Sequence, residues 1–79
     1  MDIGGKLKNL RKHNNLSQRQ LADLLSVKEY SVGDYERGRS EPSIETLRKL
    51  SIIFKISLDE LLEVDTKEQK QELYNKIYK

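Results

Sequence analysis

The tightest constraint on this chain lies between Ser17 and Gly38, where two helices must be joined by almost no turn. Ser17 and Gln20 form an S-x-x-Q capping box, in which each side chain satisfies a backbone group that a helix start leaves unpaired. Leu21, Leu24 and Leu25 follow at helical spacing and face inward, and Ala22 permits close approach of a neighbouring helix. Ser26-Val27 is a short turn. A second helix then spans about Lys28 to Arg37, and Gly38 stops it, because a left-handed backbone costs glycine nothing. That second helix offers the core only Val32 and Tyr35. Most of its surface must therefore stay outside.

The rest of the chain also reads as helix. One proline and four glycines punctuate it, and no stretch alternates cleanly enough for a strand. A first helix is expected from about Asp2, its cap, to His13, with Ile3, Leu7 and Leu10 as its apolar stripe. Asn14-Asn15 marks a turn. Pro42-Ser43 opens a fourth helix with Ser43 as cap and Ile44, Leu47, Leu50 and Phe54 as the buried face. Ser57 caps a short fifth helix carrying Leu58, Leu61 and Leu62. The expected fold is all-α, a compact five-helix domain over residues 1–63 with a helical extension over 64–79. In that extension Leu73, Tyr74, Ile77 and Tyr78 share one face. They either fold back and complete the core or form a dimer interface.

Charge sharpens the functional reading. The net charge of +2 is too small to argue for nucleic acid alone, but residues 1–16 carry Lys6, Lys8, Arg11 and Lys12 against Asp2, an excess of +3. With no cysteine, a disulfide framework and a cysteine-based zinc site are both excluded. One histidine, no glycine-rich phosphate loop and no room for a pocket argue against an enzyme. His13 suits a helix C-terminus through the helix dipole rather than a metal or a proton. No metal or cofactor is expected. No apolar run approaches the roughly 20 residues of a membrane helix, so the expectation is a cytoplasmic protein.

Two helices joined by a very short turn, the second with few core residues, is the layout of a helix-turn-helix, here from about Ser17 to Arg37. The first helix braces across the DNA backbone while the second enters the major groove. Around this motif the chain resembles the Cro/C1-type helix-turn-helix repressors of phages and bacteria, a lambda-repressor-like domain. The resemblance rests on Leu16-Ser17-Gln18, Leu21-Ala22, Val27, Val32, Tyr35-Glu36-Arg37-Gly38-Arg39, Pro42-Ser43, Leu47 and Ser57-Leu58-Asp59-Glu60-Leu61-Leu62. It covers about Ile3 to Leu62.

The resemblance implies roles. Gln18 would bond a phosphate, helped by the backbone N–H groups of the helix start. Lys28, Glu29, Tyr30 and Asp34 fall where the family reads base edges, and Ser31 between them serves base or phosphate. Arg37, Arg39 and Ser40 would meet phosphates, and Lys6 and Lys8 could add to them. Arg11 and Glu36 match an ion pair that ties the first helix to the third. The implied partner is double-stranded DNA, bound as a homodimer on a two-fold-related operator, with repression as the outcome.

Three departures stand out. Ser26 occupies a turn position usually held by glycine, Lys28 a position often held by a Ser or Thr cap, and Gly33 lies inside the third helix. The reading face also carries the acids Glu29 and Asp34. Carboxylates repel phosphates but can accept a bond from the N4 amino group of cytosine, so such a face should favour cytosine. The same acidic face keeps open a protein-binding regulator of this fold, an antirepressor or an antitoxin, and a protein antagonist as a further partner.

Overall fold

The computed structural model describes residues 3–62 and 75–77. Among the described residues five helices follow one another, α1 (Gly4–His13), α2 (Gln18–Leu25), α3 (Glu29–Arg37), α4 (Ile44–Phe54) and α5 (Leu58–Leu62), and residues 75–77 are helical as well. No strand occurs among the described residues. The all-α expectation holds.

Helix boundaries follow local chemistry. Ser17 caps α2 with both halves of the capping box: its hydroxyl accepts from the Gln20 amide, and the Gln20 side chain accepts from the Ser17 amide. Ser43 accepts from the Thr46 amide and Ser57 from the Glu60 amide, which starts α4 and α5 in the same way. Lys28 stands at the cap of α3 but makes no side-chain cap bond. Gly38 ends α3 in the left-handed region at φ 74. The ends of α2 and α4 are left-handed too, yet they use Ser26 at φ 59 and Lys55 at φ 54. A side chain at such a position costs about 1 kcal/mol. Ser26→Gly should therefore raise stability by up to about 1 kcal/mol, read as a higher denaturant midpoint at unchanged slope.

Leu7, Leu21, Leu25, Val32, Leu50 and Leu61 are fully enclosed, and Ile3, Tyr35, Leu47, Phe54, Leu58 and Leu62 close the core around them. Two expected core positions are corrected. Leu24 is 52% exposed and Ile44 is 44% exposed. Leu24 lies outside the face of α2 that carries Leu21, Ala22 and Leu25, and α4 buries Thr46 and Leu47 instead of its first residue. Asp2, the expected cap of the first helix, lies outside the described residues, and α1 begins at Gly4 with Ile3 before it. Leu73, Tyr74 and Tyr78 of the extension also lie outside them. Ile77 is described, and it is only 3% exposed within this chain's own core. Its carbonyl accepts a bond from Arg48 of α4.

This packing puts α3 against both α2 and α1 while leaving one long side uncovered. The closest approach is at Gly4. A Cβ there would lie 2.6 Å from the Glu36 carbonyl oxygen and 2.8 Å from that of Tyr35, so α1 touches the last turn of α3 backbone to backbone.

Candidate nucleic-acid interface

The uncovered side of α3 is built by elimination. Val32, Gly33 and Tyr35 are buried, so the helix turns Glu29, Tyr30 and Arg37 outward, with Ser31 and Asp34 half-buried at the margins. Tyr30 is 70% exposed, a large aromatic ring with no cover. Lys28 before the helix, and Arg39 and Ser40 after it, are also exposed. With its side chains an α-helix is roughly 10–12 Å across, which fits the roughly 12 Å width of a B-DNA major groove. Side chains able to meet bases or phosphates thus line one helix and both of its ends.

Behind this face a polar network holds three helices in register. Arg11 of α1 forks onto Glu36 of α3, Nε to Oε2 at 2.6 Å and a terminal nitrogen to Oε1 at 3.1 Å. The other terminal nitrogen donates to the Leu16 carbonyl at 2.9 Å, which fixes the loop leading into α2. Both charged side chains are enclosed, at 10% and 3% exposure. The Gln18 amide, in the first turn of α2, donates to Glu36 Oε1 at 3.1 Å. Burial by itself would push the Glu36 carboxyl up. The bonds from Arg11 and Gln18, with the charges of Arg11 and Lys8, outweigh it and hold the group below its usual range. The bond to Glu36 likewise raises the Arg11 guanidinium against the opposing effect of burial. One carboxylate therefore ties α1, the α2 entry and the last turn of α3 together.

A second ion pair lies on the outer face. Arg37 donates to Asp34 Oδ1 at 3.0 Å, one helical turn back. The guanidinium crosses Gly33, where a Cβ would lie 3.0 Å from both terminal nitrogens.

The structure brings together Gln18, Arg11 and Glu36 in one network, and Asp34 and Arg37 in another. Lys28, Glu29, Tyr30, Ser31, Arg39 and Ser40 are placed around α3 without an internal role of that kind. Gly4 and the bond from Gln18 to Glu36 escaped the sequence reading, because both join residues far apart in the chain. The pairing of Asp34 with Arg37 escaped it too, although opposite charges three residues apart on a helix are a signal that could have found it. Among the described residues no group of His, Cys, Asp and Glu side chains could hold a metal ion. No described helix is long and apolar enough to cross a membrane.

Comparison with known proteins identifies the family and the fold. The family model described as Helix-turn-helix matches residues 7–61. The HTH-type transcriptional activator BcrR of Enterococcus faecalis is 33% identical over 99% of this chain and 43% of its own length. The cryptic phage CTXphi transcriptional repressor RstR of Vibrio cholerae is 35% identical over the whole chain and 70% of its own length. The chain spans about half the length of several curated relatives that it matches. Among solved structures, the P22 c2 repressor in complex with a synthetic operator superposes with a TM-score of 0.74 at 29% identity, over 82% of this chain and 98% of that one. These relatives are transcription regulators rather than enzymes.

Proposed function

Because the chain belongs to the Cro/C1-type helix-turn-helix family of phage and bacterial transcription regulators, we propose that it binds double-stranded DNA sequence-specifically with α3 in the major groove. The observation that carries this reading is the outer face of α3, which holds an uncovered Tyr30 beside Glu29 and is flanked by Lys28, Arg37, Arg39 and Ser40.

Roles follow from position and chemistry. Lys28, Glu29, Tyr30 and Ser31 meet base edges, with Glu29 accepting from a cytosine N4 amino group and Tyr30 covering a thymine methyl. Asp34 reaches a base only after Arg37 leaves it. Arg37, Arg39 and Ser40 meet phosphates past the C-terminus of α3. Gln18 holds one amide hydrogen on Glu36 and turns its other toward a phosphate at the α2 N-terminus, where backbone N–H groups add to the attraction. One domain offers a small footprint, so two copies bind a two-fold-related site, with half-sites about one DNA turn apart. Repression is the proposed outcome, by blocking what would otherwise occupy the operator.

Affinity that rests on phosphates must fall with salt. If five or six phosphates are neutralised, the log–log slope of binding against salt is about −5 for duplex DNA. Fluorescence anisotropy of a labelled duplex, titrated at several salt concentrations, reads that slope. A flat salt dependence, or no binding at low salt, would remove the proposal and favour a protein partner for the acidic face.

A further inference from the structure

Asp34 is an odd residue for its place. It lies in the last turn of α3, where the helix dipole disfavours an acid. On a surface meant for phosphates it also adds repulsion. Gly33 beside it is equally odd, since glycine is a poor residue for a helix interior. One observation accounts for both. The Arg37 guanidinium crosses the space that a Gly33 side chain would fill and donates to Asp34 at 3.0 Å. The two residues together hold the arginine flat against its own helix.

We infer that Asp34 is a positioning residue that withholds Arg37 from DNA of the wrong sequence and releases it on the right one. The inference rests on the DNA-binding reading and deepens it. The pair is half open to water, with side-chain exposures of 51% and 32%. A pair so exposed shifts an equilibrium by roughly five-fold at most. That is weak enough for a well-placed phosphate to break it. It is also enough to lower the affinity for DNA on which α3 seats poorly. On a non-specific duplex Arg37 stays with Asp34, and one phosphate contact is not made. On the operator, α3 sits deep, a phosphate comes within reach and the arginine exchanges partners. The gain is specificity: non-specific binding is electrostatic, so withholding one cation weakens it selectively.

Asp34→Ala removes the acceptor and leaves the backbone carbonyl that closes the α3 terminus in place. Affinity and salt slope are measured for a selected operator and for a random duplex, in the wild type, Asp34→Ala, Arg37→Gln and the double variant. The expected result is a several-fold gain in affinity for the random duplex in Asp34→Ala, with the salt slope steeper by about 0.9, one extra phosphate. The operator slope stays unchanged, and in the Arg37→Gln background the effect of Asp34→Ala on slope vanishes. An equal gain in both backgrounds would make Asp34 a source of simple repulsion and overturn the inference. Loss of operator affinity alone would make it a base reader and overturn it likewise. Wild-type protein that binds neither duplex at low salt would instead defeat the DNA-binding reading, and the pair would have nothing to withhold.

Discussion

Arg11→Ala should lose about 3–5 kcal/mol of stability, the largest effect expected of any single polar substitution in this domain. Total stability for a chain of 79 residues is about 4–12 kcal/mol, so the variant should lose from about a quarter to all of it, read as a much lower denaturant midpoint. The cost does not come from the pair's own attraction, which desolvation largely offsets. It comes from leaving Glu36, 3% exposed, as a buried carboxylate without its main counterion. The Leu16 carbonyl loses its donor as well. Two further measurements separate this account from lost packing. Replacing both partners by apolar residues, Arg11→Met with Glu36→Leu, should recover much of the loss. Acid should also narrow the gap. In the wild type the Glu36 carboxyl is held below its ordinary value, so its contribution is complete above about pH 4.3 and disappears as pH falls through the folded value. In Arg11→Ala burial acts with less opposition and the folded value rises, so the variant is hurt most at neutral pH. A stability difference that stays constant from pH 7 to pH 4 would contradict the electrostatic account.

Gly4→Ala and Gly5→Ala should act in opposite directions although the two glycines are adjacent in α1. At Gly4 a Cβ would press on the carbonyl oxygens of Glu36 and Tyr35, which are backbone and cannot swing away. The expected loss is about 1–3 kcal/mol, the usual cost of overpacking. At Gly5 nothing lies within 4 Å of an added Cβ. There alanine should gain up to about 1 kcal/mol through helix propensity alone. Denaturant unfolding of the two variants decides the matter. The Gly4 variant should also bind DNA more weakly, because pushing α1 away displaces the turn of α3 that carries Glu36 and Arg37. Equal effects at both positions would mean that the contact between α1 and α3 is looser than described.

Much of the scaffold was legible because its signals are local. The capping box at Ser17, the caps at Ser43 and Ser57 and the stop at Gly38 each act within a few residues, and each stands where its chemistry placed it. Core positions were less legible. Leu24 and Ile44 have the spacing and the chemistry of buried residues, but short helices bury only the stripe that a neighbour covers. Which neighbour covers what is decided by packing between distant segments. The close contact at Gly4 is invisible in sequence for the same reason: its partners lie on another helix. On α3 the sequence pattern separated the inner Val32 and Tyr35 from the outer face. It also showed the acids Glu29 and Asp34 there. It did not show that Asp34 is already engaged by Arg37, which changes that acid from a free reader into one with a competing partner.

Selection of binding sites from random duplex DNA decides the claim that the exposed face of α3 reads DNA sequence. The wild type should enrich a two-fold-related site containing cytosine at a defined position in each half. Glu29→Ala should bind the enriched site more weakly and lose the preference for that cytosine, while Tyr30→Ala should lose preference at an adjacent thymine. Recovery of no common sequence by the wild type, or of the same sequence by wild type and both variants, would contradict the claim.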